Sequence, residues 1–120
     1  NDKILIPVAV SYNDGVGDAP EDEYVAHFEV SSKQLYLLTY TVTYFTGEES
    51  DKFSALIYED YKDVNGLLFP TTMKGYKYND GELGEQRYER QFVNIKLMDE
   101  PYQKSLFQMP NGAEIDPLKD

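Results

Sequence analysis

The sequence contains no cysteine, no tryptophan and one histidine, His27. Without cysteine there is no disulfide, thiolate metal site or Cys nucleophile. One histidine excludes a His-rich zinc or iron centre, and no serine lies in a Gly-x-Ser-x-Gly turn, which dismisses nucleophilic triads. Positive charge is also scarce. Eleven basic residues face 22 acidic ones, a net charge of −11. That balance argues against nucleic acid, whose binding draws on Lys and Arg, and against an anionic membrane surface. No stretch approaches the ~18 apolar residues of a membrane span, and the most apolar run, Ile4 to Val10, is broken by Pro7. The sequence opens with neither an initiator Met nor a signal peptide. The expectation is a processed or trimmed chain, with the C-terminal portion of a longer domain as one form of it.

What is present suits a β domain. At 120 residues the chain is long enough for one core and too short for two. Aromatics reach 14%, from 11 Tyr and 6 Phe, and favour strands. A hydrophobic content of 41% can supply a core despite the charge. From Tyr36 to Phe45, Tyr36, Leu38, Tyr40, Val42 and Tyr44 alternate with Thr39, Thr41 and Thr43, which predicts a strand with threonines on its wetter side. The stretch Phe53–Val64 repeats the pattern, with Phe53, Ala55, Ile57 and Tyr61 on one face. Further strands are predicted over Lys3–Tyr12, Tyr24–Val30, Leu67–Tyr78 and Gln86–Met98.

Asn65-Gly66 has the composition of a tight hairpin turn. Asp80-Gly81 and Gly84 interrupt the chain before the last strand. Short connections favour antiparallel neighbours, so the prediction is an all-β, antiparallel meander of about six strands. Pro7 and Pro70 each remove a ladder donor and belong at an edge, a strand start or a bulge. Apolar parity switches near Phe92, where a bulge would bend the sheet. A strongly curved sheet, half-barrel or barrel-like, follows. Only Asp99–Phe107, with Pro101 near a first helical position, predicts a short C-terminal helix. A curved sheet with one aromatic face needs a cover, because monomers rarely expose apolar patches beyond about 300–600 Å². Barrel closure, a second sheet, a partner chain or a helical layer would each serve.

Few residues nominate a site. His27 faces with Val25 and Glu29 and reads as a half-exposed strand residue. Between Asn13 and Glu23, the residues Asp14, Asp18, Glu21, Asp22 and Glu23 with Gly15 and Gly17 could offer oxygens to calcium. Their spacing does not fit an EF-hand, and a solvated acidic loop is the plainer reading. Glu59 shares the parity of Ile57 and Tyr61, which would desolvate its carboxylate unless a Tyr hydroxyl or Arg satisfies it. Glu59 and Asp60 are consecutive and point oppositely, so they cannot form a glycosidase pair. Arg87 and Arg90, the only arginines, lie among Glu85, Gln86 and Glu89, where ion pairing is expected.

The segment Tyr61-Lys62-Asp63-Val64-Asn65-Gly66-Leu67-Leu68-Phe69-Pro70-Thr71 is followed by Gly75-Tyr76, Asp80-Gly81, Gly84-Glu85, Arg87-Tyr88 and Phe92. From about Tyr24 onward this resembles the C-terminal half of an uncharacterised family of Bacteroidota cell-envelope proteins. More distantly it is similar to the lipoprotein-localisation carriers and related lipid-binding half-barrels. The resemblance implies a curved sheet whose concave face accepts acyl chains under a helical lid, in the periplasm or cell envelope. It supplies no catalytic residue.

The combined expectation is a non-catalytic protein without cofactor or metal. It would bind a lipid or other amphipathic ligand on a concave face lined by Tyr36, Tyr40, Tyr44, Ile57 and Tyr61, with Glu59 as polar anchor. The alternative is an interaction module whose apolar face is buried in a homodimer or by a missing N-terminal region. A calcium-dependent hydrolase, resting on the acidic loop alone, is the third.

Overall fold

The computed structural model describes residues 2–17, 19–43 and 52–115. Strand-forming residues and tight turns produce six strands in sequence order: β1 (Leu5–Val10), β2 (Tyr24–Glu29), β3 (Leu35–Tyr40), β4 (Ser54–Val64), β5 (Leu67–Asn79) and β6 (Glu82–Gln91). Each pairs antiparallel with its neighbours in the order β1-β2-β3-β4-β5-β6. The result is the predicted curved meander, left open: β1 and β6 each pair on one side only.

The turn chemistry is local. Asn65 and Gly66 have φ of 52° and 87°, and Asp80 and Gly81 have 48° and 84°, the paired left-handed angles of a two-residue hairpin. The Gly66 N–H also donates to Asp63 Oδ1 at 2.9 Å. The second turn delivers the chain directly into β6, four residues earlier than predicted. Gly84 therefore lies inside a strand rather than before it.

At the other end β6 stops at Gln91, so the predicted continuation to Met98 is corrected. Phe92 still donates its N–H to the Thr71 carbonyl at 2.8 Å, then Asn94 takes a left-handed φ of 55° and the chain leaves the sheet. The parity switch at Phe92 thus marks a departure, not a bulge. The predicted helix is also corrected, to a single 3-10 turn over Lys104–Phe107 whose N-terminus has no side-chain cap. One unsupported turn does not repay the cost of helix nucleation.

Both prolines sit where no ladder donor is needed. Pro7 is on the edge strand β1, and Pro70 precedes Thr72, where pairing with β6 begins.

The strand register sorts side chains onto two faces. On one, Val25, Leu37, Thr39, Ala55, Ile57, Lys74 and Tyr76 are cross-strand neighbours. Here Leu37, Ala55 and Ile57 form the small buried core, with Tyr36, Tyr76 and Tyr78 packed against it. Thr39 and Thr41 are only 3% and 2% exposed, so the threonine side is the buried one and the predicted wetter side is corrected. These residues are small enough for long neighbouring side chains and the loop before β2 to fold over them. We call this the threonine face.

The other, the tyrosine face, carries Tyr24, Tyr40, Tyr58 and Tyr88 with Leu38, Leu56 and Met73. All seven are only partly buried. No second layer is present among the described residues. The Cα radius of gyration of 17.8 Å exceeds the ~14 Å expected of a compact chain of this length.

His27 belongs to the threonine face, opposite Pro7 and Leu37. Its Nε2 is buried without a hydrogen-bond partner, and burial lowers its pKa below the ordinary histidine value. The unfolded chain therefore takes up a proton near pH 6.5, whereas the folded chain does so only at lower pH. His27 thus removes stability as pH falls through that window. His27→Phe should lose less melting temperature than the parent between about pH 7 and pH 5. Equal losses would show that His27 contributes nothing to the acid response.

Candidate functional site

The sequence-predicted residues divide between the faces. Ile57 and Glu59 follow Ala55 onto the threonine face. Tyr36 joins them because the β2–β3 register shifts between His27↔Leu37 and Phe28↔Leu35, leaving Tyr36 as the extra residue of a bulge. Tyr40 pairs with Ser54 and lies on the opposite, tyrosine face. Tyr44 lies outside the described residues. Tyr61 follows Asp60, whose φ of 54° breaks the two-residue alternation, so parity no longer relates Tyr61 to Glu59. The expectation that these residues share one face is corrected: the register of β3 on β4 opposes odd to odd, which puts the even-numbered Tyr40 behind Ile57.

Tyr36, Glu59 and Tyr61 do converge around a groove of about 310 Å³ that also includes Lys3, Glu29 and Asp60. It opens where β3 and β4 stop pairing beyond Leu37↔Ile57, and the Tyr61 hydroxyl bridges the gap by donating to the Leu35 carbonyl. Two hydroxyls brace the irregular turn at Asp60: Thr71 donates to its carbonyl at 2.6 Å and Thr72 to its carboxylate at 2.7 Å.

The charges in this groove satisfy one another. Lys74 Nζ donates to Glu59 Oε2 at 2.6 Å. Lys3 Nζ donates to Glu29 at 2.7 Å and stands 5.0 Å over the Tyr36 ring, while Ser32 donates to the second Glu29 oxygen at 2.6 Å. The Glu29 bonds hold its carboxyl below the ordinary value, and the Glu59 and Glu29 bonds hold Lys74 and Lys3 above theirs. Glu59 thus meets a lysine, not the Tyr hydroxyl or Arg expected. The groove is a wet, internally paired seam.

The acidic loop has a structural task at its C-terminal end. Asp22 is buried, and its Oδ1 accepts from the Thr43 N–H at 2.8 Å and the Thr41 hydroxyl at 3.2 Å. Glu23 and Thr41 exchange two further bonds. Among the described residues no three metal-ligating side chains gather. Asp18 lies outside them.

The tyrosine face has the more distinctive surface. Tyr12 meets Tyr24 edge-on at 6.1 Å between centroids, and Tyr24 stacks on Tyr40 at 6.4 Å. Tyr88 lies close enough to Tyr40 to help raise its pKa, and the Tyr88 ring spans Gly75 on β5. An aromatic row thus crosses the sheet from the end of β1 to β6. Burial raises the pKa of Tyr24, Tyr40, Tyr58 and Tyr61 above that of free tyrosine, so the phenols stay neutral at physiological pH. Ile6 and Val8 extend the apolar surface along β1.

Both arginines lie at this row. Arg90, opposite Met73, places its guanidinium 5.2 Å from the Tyr88 centroid, and Arg87 is close enough to Tyr40 to counteract part of the rise in its pKa. The predicted pairing of Arg87 and Arg90 with Glu85 and Glu89 is corrected. Lysines hold every ion pair among the described residues, including Lys77–Glu85 at 3.0 Å. Arg90 reaches only the Glu89 carbonyl, at 3.1 Å. The alternation in β6 carried the signal for Arg90, since Tyr88 and Arg90 share parity.

Comparison with family models, curated proteins and solved structures gives no match.

Proposed function

We propose that the chain is a non-catalytic binding module that uses its tyrosine face to hold an apolar or amphipathic ligand, a lipid or acyl chain being the class expected. The observation that supports this is the row of half-buried tyrosines, Tyr24, Tyr40, Tyr58 and Tyr88, on one face of the sheet with leucine and methionine beside it. Tyrosine offers contact area at low entropic cost, and an apolar face of this kind marks a binding surface. The ligand-lining set therefore moves from the mixed sequence-based group to Tyr24, Leu38, Tyr40, Leu56, Tyr58 and Tyr88. A periplasmic or envelope location belongs to the same proposal, through the resemblance to lipid-binding half-barrels.

Native mass spectrometry of the purified protein should find bound acyl ligand. Tyr58→Asp should lose the ligand while keeping the circular dichroism of the sheet. A ligand-free mass together with no uptake of a fluorescent fatty acid would refute the reading.

A second reading is self-association. Beyond β6, Val93, Leu106 and Phe107 are 76%, 66% and 78% exposed, an apolar segment beside an apolar sheet face. A sedimenting dimer insensitive to lipid would favour that reading over ligand binding.

A further inference from the structure

We propose that the ligand of the tyrosine face is an amphipathic anion, its alkyl chain lying along the tyrosine row and its carboxylate or phosphate head held by Arg87 and Arg90. This rests on the reading of that face as a binding surface and adds the chemistry of the occupant.

The argument is one of charge placement. Among the described residues Lys3, Lys74 and Lys77 hold carboxylates, while Lys33, Lys62, Lys96 and Lys104 do not and lie away from the aromatic row. The two arginines hold none either. They sit at the β6 end of the aromatic row, and among the described residues the neighbouring Glu85 is held by Lys77 at 3.0 Å. An apolar surface of an acidic protein is thus bordered by two guanidiniums that have no carboxylate partner among the described residues.

Guanidinium is weakly hydrated and planar, and its fork of donors matches the oxygens of a carboxylate or phosphate. Arg90 is oriented by the Tyr88 ring beneath it and by the Glu89 carbonyl. The row leading away from these heads, through Tyr88 and Tyr40 to Tyr24, accepts methylene groups, with the Asp22 carboxylate near only its far end, at Tyr24. A molecule with both parts fits the whole surface, whereas a neutral alkyl chain leaves the arginines unused.

Three probes of equal chain length separate head from tail: decanoate, decyl phosphate and decanol, each below its micelle or solubility limit. Tyrosine fluorescence reports binding in a chain without tryptophan. Decanoate and decyl phosphate should each bind at least about tenfold more tightly than decanol, and the preference should shrink as salt is raised. Arg87→Gln with Arg90→Gln should abolish it, while Arg87→Lys with Arg90→Lys should retain part. Acetate and inorganic phosphate, heads without tails, should not bind.

Equal affinity for decanol and decanoate, or a preference that survives the double glutamine variant, would overturn the anion assignment while leaving an apolar binding face. If none of the three probes binds, both readings fall. Co-sedimentation with phosphatidylglycerol vesicles in the absence of decanoate binding would replace a free amphiphile with a membrane surface and so also overturn the proposal.

Discussion

Gly75→Val should be among the most damaging single changes in the sheet, costing about 2 kcal/mol. A Cβ at Gly75 would lie 2.4 and 2.5 Å from two carbons of the Tyr88 ring, well inside van der Waals contact. Gly75 is not held in a left-handed conformation, so the ring, not the backbone, accounts for the glycine. It packs across the bare backbone and compensates for the side chain that a strand interior would otherwise have. Valine has the higher strand propensity, a gain of at most about 1 kcal/mol, which does not offset expulsion of the half-buried Tyr88 ring. Urea denaturation should show a lower midpoint for Gly75→Val. Tyr88→Ala alone should also destabilise, and the double variant should cost less than the two single changes together, because the clash disappears with the ring. Additive losses would show that ring and glycine do not depend on each other. The change should also weaken binding on the tyrosine face, since the Tyr88 ring supports the Arg90 guanidinium.

The sequence made the strands legible because their signals are local. Alternation within Leu35–Tyr40 and Ser54–Val64 needs only neighbouring residues, and Asn65-Gly66 and Asp80-Gly81 specify left-handed turns by their own sterics. β6 was harder to read. Its sequence, Glu82–Gln91, is polar on both faces, and only its hairpin with β5 shows where it starts. The site failed for a different reason. Alternation says which residues of one strand share a face, but the cross-strand register decides which strands' faces coincide. Tyr40 and Ile57 each obey their own pattern and still end on opposite sides. Two residues then break the pattern altogether, Tyr36 in its bulge and Asp60 with its left-handed backbone. Composition recorded both arginines, but only the register puts Arg90 beside Tyr88, and Arg87 falls at the register shift between Gly75 and Tyr76, close to Tyr40.

The division between faces also explains how an acidic chain keeps an apolar surface available. The threonine face buries its small residues under Tyr36, Tyr76 and Tyr78 and uses Lys3 and Lys74 to neutralise Glu29 and Glu59. Such partly exposed pairs contribute little each. They settle that face among the described residues, and the row of Tyr24, Tyr40, Tyr58 and Tyr88 is left to the other side. The polar pairs and the Asp22 bonds thus lie away from the binding surface, so a change at the support of the threonine face should affect folding first.

Asp22 is that support, and Asp22→Ala should cost about 3 kcal/mol. The loop before β2 and the chain after β3 meet through this carboxylate, whose Oδ1 accepts from the Thr41 hydroxyl and the Thr43 N–H. Both threonines are buried, at 2% and 4% exposure, where water cannot readily replace the lost acceptor. Bonds to a charged group contribute about 1.5–3 kcal/mol each. Asp22→Asn keeps a carbonyl acceptor and should cost roughly 1 kcal/mol, the loss of charge assistance. Thr41→Val tests the other end, removing both the donor to Asp22 and the acceptor of the Glu23 N–H at 2.9 Å. It should therefore cost more than Asp22→Asn, and its effect should not add to that of Asp22→Ala. The order of denaturation midpoints, Asn above Ala, distinguishes a buried cap from a solvated acidic loop, for which all three variants would melt with the parent. Decanoate affinity measured on the folded fraction of Asp22→Asn should remain that of the parent, because the cap supports the threonine side of the sheet and the arginines lie across it.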